Sequence, residues 1–195
     1  AYIRAVEIEI ARRYPEGKIR CPVHLSIGQE ISAAAVCSFL EPGDLVFSTH
    51  RCHAHYLACG GDLKAMLAEL YGKQAGCCRG RGGSMHLRTP DGPLMWSGPI
   101  VGSALPLALG AAWSMRQREQ KNLVVAFMGD AALETGQVWE AWNFAALHKL
   151  PILFVCENNG LSTQTPIQQR QSQFTIGPPL HHQGYIKDDK VDDIF

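Results

Sequence analysis

The fold is decided by residues 123–160, LVVAFMGDAALETGQVWEAWNFAALHKLPILFVCENNG. Residues 123–128 and 152–156 are short apolar runs, which are typical of buried strands. Residues 134–148, between them, carry apolar side chains at helical spacing. A strand, a helix and a second strand in this order predict a right-handed βαβ crossover that joins two parallel strands.

The chain on the N-terminal side continues this rhythm. A helix predicted at residues 103–115 precedes the first strand, so helix and strand alternate from residue 100 onward. This alternation predicts an α/β fold with three layers, a parallel sheet with helices on both faces. Further predicted elements are a helix at 1–14, a helix at 27–39 capped by Ser26, a short strand at 45–47, a helix at 62–71 that begins at Asp62, and a glycine-rich loop at 76–84.

The composition changes near the end of the chain. From residue 164 the sequence is rich in Gln, Pro and Asp and has little periodicity. We therefore expect one domain at residues 1–165 and an irregular tail at residues 166–195 that binds a partner or is poorly ordered.

Charge and hydropathy exclude several classes of partner. The 18 basic residues balance the 18 acidic ones, which leaves no electrostatic footprint for nucleic acid or an anionic membrane. No apolar run approaches the roughly 20 residues that are needed to cross a bilayer. A cytoplasmic location, or an organelle matrix, is the default expectation because no signal peptide is visible.

The seven cysteines are an odd number and lack metal-ligand spacing. They indicate reduced thiols in a reducing compartment, with a disulfide framework as the alternative. The adjacent Cys77 and Cys78 are interpreted as two loop thiols rather than as a redox pair.

Polar side chains follow the two strands of the deciding stretch. Asp130 comes directly after the first strand and Asn159 ends the second, so both are expected at the carboxyl edge of the sheet, where ligands bind. A strand-end Asp alone is more often a turn or cap residue, but the pair suits Mg²⁺ or Ca²⁺, which prefer oxygen ligands. The amides of Ala131 and Ala132, expected at a helix start, can donate to phosphate, and Arg51 can supply a forked cation.

These residues also carry a resemblance. Gly129-Asp130 followed by Asn158-Asn159 resembles the signature of thiamine diphosphate (ThDP) enzymes, which begins Gly-Asp-Gly and closes with Asn-Asn. Collinear segments over residues 1–170 are similar to the α subunits of 2-oxoacid dehydrogenase E1 components, a family that includes the pyruvate, branched-chain 2-oxoacid and acetoin dehydrogenases. Those segments are HLSIGQE at 24–30, RCH at 51–53, GGSMH at 82–86, IVG at 100–102 and WNFAA at 142–146.

The resemblance implies a ThDP-binding fold and a role for each matching residue. Metal ligands would be Asp130, Asn159 and the carbonyl of Leu161. His53 and His86 would lie on the substrate side of the active site, although such loop histidines are as often structural. Cofactor contacts would come from Arg51, Pro99, Val101, Gly129, Asp130, Ala131, Ala132 and Asn159, with Val101 as the apolar wedge that forces the cofactor into its V shape.

Several departures from the family pattern favour a divergent member. Ala131 replaces the second glycine of the signature, His50 an aromatic residue, Pro99 a glycine and Leu161 a tyrosine. Family α subunits continue further and carry a histidine-bearing loop, and His181-His182 does not stand in that context. The chain is therefore interpreted as truncated or divergent.

The resemblance also implies a partner. ThDP is activated by a glutamate beside its aminopyrimidine, and that glutamate would come from a β-type subunit with a pyrimidine-binding domain, most simply in an α₂β₂ assembly. Three functions stay open: an α subunit that decarboxylates a 2-oxoacid or cleaves acetoin and passes the product to a lipoyl-domain acyltransferase; a split ThDP lyase or ligase without lipoyl transfer; and a non-catalytic structural or regulatory relative.

Overall fold

The structure is a computed structural model that describes residues 1–171 and the backbone of Ile186–Lys187. Its strands are β1 (Leu45–Ser48), β2 (Leu94–Ser97), β3 (Val124–Gly129), β4 (Ile152–Asn158), β5 (Leu161–Ser162), β6 (Thr165–Pro166) and β7 (Ile186–Lys187). Strands β2-β1-β3-β4-β7 form one sheet in that order, and every neighbouring pair is parallel. Strands β5 and β6 form a separate antiparallel pair.

The helices surround this sheet. They are α1 (Tyr2–Arg13), α2 (Glu30–Cys37), α3 (His53–Ala58), α4 (Leu63–Leu70), α5 (Ala104–Gln117), α6 (Gly136–Leu147) and α7 (Ile167–Arg170), with 3₁₀ segments at Tyr14–Glu16, Gly83–Met85 and Asp130–Glu134. Within the described part of the chain, no helix combines the length and the apolar character that a membrane span requires.

The central strands separate two apolar cores. Val125 and Phe127 of β3 pack with residues of α1 to α4 on one face, whereas Val124, Ala126 and Met128 pack with α5 and α6 on the other. Successive side chains of a strand point to opposite faces, so a run that is apolar at every position fills both cores. The predicted three-layer α/β fold with helices on both faces of a parallel sheet is confirmed.

The second helix starts later than predicted, and Ser26 does not cap it. Helix α2 begins at Glu30, because Gly28 takes a left-handed φ of 93° that breaks the helical path. The Ser26 hydroxyl instead accepts a hydrogen bond from the Ala54 amide, and the Ser26 amide donates to Glu7 Oε2 at 2.5 Å. Ser26 therefore ties the α1 layer to the start of α3.

Helix α3 and strand β2 were not predicted from the sequence, and neither were the short elements β5, β6, α7 and β7 that follow β4. Helix α3 and strand β2 are short, and β2 adds to the edge of the sheet beside β1. Helix α6 begins at Gly136 because the 3₁₀ segment Asp130–Glu134 precedes it. At the start of the predicted tail, strand β6 and helix α7 reach Arg170, and His181-His182 lies outside the described residues.

Candidate cofactor site

A cavity of about 160 Å³, open at its mouth, lies at the carboxyl ends of β1, β3 and β4. Ligands of parallel sheets bind at this edge because the loops after the strands converge there. The predicted site residues in its wall are Arg51, Val101, Gly129, Asp130, Ala131, Ala132, Asn159 and Leu161. Residues that are distant in sequence therefore meet at the predicted edge of the sheet.

Asp130 is 2% exposed and opens the 3₁₀ segment that follows β3. Its carboxylate pairs with Arg170, whose Nη2 lies 2.5 Å from Oδ2, and its carbonyl accepts a hydrogen bond from Gln171 Nε2 at 3.4 Å. The same Arg170 guanidinium also pairs with Glu134. The sequence predicts a metal ion at the Asp130 carboxylate and gives no indication of the arginine found there.

Asn159 is held in the cavity wall by two successive turns. Asn158 Oδ1 accepts from the Gly160 amide at 2.9 Å, and Asn159 Oδ1 accepts from the Leu161 amide at 3.0 Å. The second bond fixes the direction of the Asn159 amide oxygen. In the β3–β4 pair, Gly129 is registered with Glu157. Asp130 and Asn159 thus follow neighbouring strands at nearly the same level.

The donor types fit a hard cation. Asp130 offers a carboxylate oxygen, Asn159 an amide oxygen and Leu161 a carbonyl, and Mg²⁺ and Ca²⁺ prefer such oxygen ligands. In residues 1–171, no group of three or more His, Cys, Asp or Glu side chains could hold a metal, so a soft-metal centre of that kind is not built there.

Ala131 and Ala132 lie in the cavity wall but not at the start of an α-helix. They belong to a 3₁₀ segment of five residues, and α6 begins only at Gly136. Because the helix-dipole effect is confined to the first turn of a helix, the dipole of α6 contributes little at these amides. These two amides would therefore stabilise a bound anion by direct N–H hydrogen bonds and not through the helix dipole.

Arg51 and His50 form the cavity wall after β1. The Arg51 guanidinium donates to the carbonyl of Leu25, which fixes its direction. The His50 ring stands edge-on to that of His24, with ring centroids 4.9 Å apart. Burial, then the charges of His24 and Arg51, lower the pKa of His50 to about 4, so its imidazole is neutral near pH 7.

Val101 lies in the cavity wall and is 47% exposed. Its carbonyl accepts from Gln137 Nε2 at 2.9 Å, and Gly102 beside it has a φ of 81°, which lets the chain turn into α5. Pro99 is exposed and is not in the cavity wall, although Gly98 and Ile100 on either side of it are. Val101 therefore lines the cavity, whereas Pro99 does not.

Neither predicted histidine reaches the cavity wall. His53 is fully buried, with Nδ1 2.8 Å from Glu7 Oε1 and Nε2 2.8 Å from Ser84 Oγ. His86 is exposed, and its Nδ1 lies 2.8 Å from the carbonyl of Gly82. In this geometry His53 joins α1, α3 and the glycine-rich segment as a structural bridge, which differs from the substrate-side placement expected from the sequence.

Sequence reasoning missed a second buried network beneath the cavity. Glu157, which lines the cavity, accepts a hydrogen bond from Ser32 Oγ, and His55 Nε2 lies 3.3 Å from Glu157 Oε1. His55 Nδ1 lies 2.8 Å from Ser48 Oγ. Burial alone would lower the pKa of His55, but the Glu157 carboxylate outweighs it and raises that pKa. The sequence signal was available in Glu157, which stands directly before the Asn-Asn pair.

Comparison with known proteins matches the resemblance. The α subunit of acetoin:2,6-dichlorophenolindophenol oxidoreductase from Bacillus subtilis (strain 168) is 41% identical over 166 residues, which is 85% of this chain and 50% of that protein. A probable mitochondrial pyruvate dehydrogenase E1 component subunit alpha from Caenorhabditis elegans is 42% identical over 167 residues, 86% of this chain and 42% of that one.

The corresponding pyruvate dehydrogenase subunit from Zymomonas mobilis subsp. mobilis (strain ATCC 31821 / ZM4 / CP4) is 41% identical over 175 residues, 89% of this chain and 49% of that protein. The chain thus spans about half the length of the curated relatives it matches. Residues 1–176 match the family described as "Dehydrogenase E1 component". With nine-tenths of its length matched and its α/β fold in agreement, the chain belongs to the dehydrogenase E1 component family.

Proposed function

We propose that this chain is the α-type subunit of a ThDP-dependent enzyme that decarboxylates a 2-oxoacid or cleaves acetoin and transfers the acyl or hydroxyalkyl group. The observation that carries the proposal is the convergence of Asp130, Asn159 and Arg51 in one cavity at the carboxyl edge of the sheet. A carboxylate, an amide and a guanidinium are the groups that a metal–diphosphate unit requires. The names of the matching relatives support the choice of substrates.

The metal would be Mg²⁺ or Ca²⁺, held by Asp130, Asn159 and the Leu161 carbonyl. Because Arg170 pairs with the Asp130 carboxylate, metal binding would require that carboxylate to turn from the guanidinium toward the cation. Glu134, which already pairs with Arg170, can retain the displaced guanidinium. The proposal thus includes a local exchange of partners at Asp130.

The diphosphate would lie against Arg51 and the amides of Ala131 and Ala132. The Arg51 guanidinium is held in place by the Leu25 carbonyl, so little side-chain entropy remains to be lost when it binds an anion. Gly129 adds no side chain at this point, which lets the cofactor approach the strand end. Asn159 would contact the phosphates as well as the metal.

Val101 would be the apolar wedge under the centre of the cofactor, and the backbone near Pro99 would lie against its aminopyrimidine. The partly exposed Val101 side chain and the Gln137 bond to its carbonyl support a fixed apolar projection into the cavity. When bound, ThDP supplies the carbon nucleophile and stabilises the carbanion that remains after C–C cleavage. The described residues of this chain would hold the cofactor and exclude water.

The activating glutamate would come from a β-type partner with a pyrimidine-binding domain, in an α₂β₂ assembly. The two glutamates near the cavity have other partners: Glu134 pairs with Arg170, and Glu157 bonds Ser32 and His55 beneath the cavity. The word alpha in the names of the relatives supports a second kind of subunit. A lipoyl-domain acyltransferase would accept the product.

One observation favours a second candidate, a non-catalytic relative. The Arg170 guanidinium forms an ion pair with the Asp130 carboxylate, which would hold the metal. If that pair were permanent, the chain would keep the fold without the cofactor. A split lyase or ligase, the third function left open by the sequence, differs from the first only in its acceptor.

Calorimetry of ThDP binding with Mg²⁺ or Ca²⁺ tests the proposal on the protein co-expressed with a β-type subunit. We expect metal-dependent binding in the wild type and its loss in Asp130→Ala, with no loss in the control Asp91→Ala, which changes an exposed carboxylate outside the cavity wall. Equal affinity in the wild type and Asp130→Ala would overturn the metal assignment. Failure of the wild-type complex to bind the cofactor would support the non-catalytic relative.

A further inference from the structure

We propose that Cys37 and Cys59 form a reversible redox site that closes to a disulfide when the protein meets hydrogen peroxide. Their sulfur atoms lie 3.7 Å apart in the structure. A disulfide needs about 2.05 Å, so the two sulfur atoms must move closer for the bond to form. Both cysteines are free thiols here.

The oxidant can reach this pair from one side. Cys59 lies in the wall of a shallow surface cavity with Tyr56, Gly60 and Asp62, whereas Cys37 is buried behind it. An accessible thiol therefore lies beside a sheltered one. The hydrogen bond between the two thiols lowers the pKa of Cys37 in spite of burial, and the same bond, together with burial, raises the pKa of Cys59. Cys37 is therefore the first of the two to become a thiolate.

The chemistry balances in two steps. The Cys37 thiolate attacks one peroxide oxygen, the O–O bond breaks, and the Cys37 sulfenic acid forms as the first water leaves. The Cys59 thiol then attacks Cys37 Sγ and gives up its proton, the S–O bond breaks, and the second water leaves. The thiol pair loses two electrons and two hydrogens, and the peroxide takes up both. A small-molecule dithiol reverses the reaction by thiol–disulfide exchange.

The pair is connected to the candidate cofactor site through two helices. Cys37 ends α2, whose Ser32 donates to Glu157 in the cavity wall. Cys59 caps α3, its amide donates to the His55 carbonyl at 2.9 Å, and His55 contacts the same Glu157. A disulfide would therefore fasten together the two helices that support the floor of the cavity. The effect on the cofactor site depends on the proposed function, whereas the formation of the disulfide does not.

Peptide mapping of the fully reduced protein before and after peroxide treatment tests the proposal. Trypsin with a glutamate-specific protease isolates Cys37 in residues 31–51, because Pro42 blocks cleavage after Glu41, and chymotryptic cleavage after Tyr56 separates Cys52 from Cys59. We expect a linked peptide of Cys37 and Cys59, a mass about 2 Da lower than that of the two thiols, and its reversal by dithiothreitol. Oxidation should also raise the Tm, because a cross-link restricts the unfolded chain.

Cysteine-to-serine variants test whether the link is specific to Cys37 and Cys59. C37S and C59S should lose both the linked peptide and the rise in Tm, and circular dichroism of each variant checks that it folds. C78S is the matched control, because it removes a neighbouring thiol and should keep the Cys37–Cys59 link. A link between Cys59 and Cys77, which line the same surface cavity, or over-oxidation of Cys59 without any link, would overturn the proposal. The Cys37–Cys59 link does not require ThDP, so a protein that fails to bind ThDP can still form it. The two proposals can therefore be tested independently.

Discussion

The Asp130 carboxylate and the Arg170 guanidinium form a nearly buried ion pair, with Nη2 2.5 Å from Oδ2 and side chains 3% and 9% exposed. The pair joins Asp130, which follows β3 and lies in the wall of the candidate cofactor site, to the end of α7. Under the proposed function, a metal ion and Arg170 compete for the same carboxylate.

Removal of Arg170 should therefore strengthen metal binding. We expect Arg170→Gln to lower the apparent Kd for Mg²⁺ in the presence of ThDP by about tenfold, roughly 1.4 kcal/mol, because the carboxylate no longer has to leave a cation. Calorimetric titration of Mg²⁺ measures this change. Arg118→Gln, at an exposed position after α5, is the control and should leave the Kd unaltered. Weaker binding in Arg170→Gln would show that Arg170 supports the site instead of competing for it.

The proposed wedge role of Val101 predicts that a substitution there lowers turnover more than it lowers cofactor affinity. Val101 is 47% exposed, so Val101→Ala should change the free energy of unfolding by only about 0.5 kcal/mol or less. We expect cofactor affinity to stay within about threefold of wild type while kcat falls about tenfold or more, because the cofactor is less constrained in its reactive shape. Leu107→Ala, at a residue of α5 with a similar exposure of 45%, is a matched control. A kcat equal to that of the wild type would remove the wedge role.

His50 makes stability depend on pH. Its pKa is about 4 in the folded chain and 6.5 in the unfolded one, so the unfolded state binds a proton first as the pH falls. The free energy of unfolding should therefore decline from about pH 6.5 down to about pH 4, and the decline should be shallower in His50→Gln. Urea denaturation at several pH values in that window measures the two slopes. Parallel slopes would indicate that His50 titrates normally in the fold.

These sites show what the sequence can and cannot reveal. Asp130 and Asn159 were predictable because each follows an apolar strand, and parallel strands bring their carboxyl ends to one edge. The buried position of His53 could not be predicted, because it depends on contacts with Glu7 and Ser84, which are far from it in sequence. The Arg170 contact was missed for the same reason, since nothing local to the Gln-rich stretch around Arg170 points to Asp130.

Short helices and strands were also difficult to predict from the sequence. Helix α3 is six residues long and carries two histidines, so its apolar periodicity is weak. Its position is fixed by buried polar contacts to Glu7 and Glu157 as well as by the packing of Tyr56 and Leu57 in the apolar core. Strand β2 is placed by its pairing with β1 and by the burial of Leu94. Patterns within the sequence reveal long apolar elements, whereas polar networks that span the chain appear only in three dimensions.

Glu69 organises the glycine-rich loop and gives the last prediction. Its buried carboxylate accepts four backbone bonds: from Cys78 at 2.8 Å, Gly80 at 2.8 Å, Gly82 at 2.6 Å and Gly83 at 3.1 Å. Burial raises the pKa of Glu69, but these bonds outweigh it and leave the pKa below its ordinary value of 4.5. The carboxylate thus stabilises the fold above about pH 4.5, and this stabilisation is lost as the pH falls further.

We expect Glu69→Gln to lower the free energy of unfolding by about 2–4 kcal/mol, because the amide nitrogen cannot accept the bonds that one carboxylate oxygen received. Chemical denaturation at pH 7 measures the loss. The exposed Glu119→Gln is the control and should change stability by no more than about 0.5 kcal/mol. The loop leads directly into Ser84, which bonds His53, so limited proteolysis of Glu69→Gln should cut near Arg79 or Arg81 sooner than in the wild type. An unchanged unfolding midpoint and cleavage rate would mean that the glycine-rich loop holds its shape without the Glu69 carboxylate.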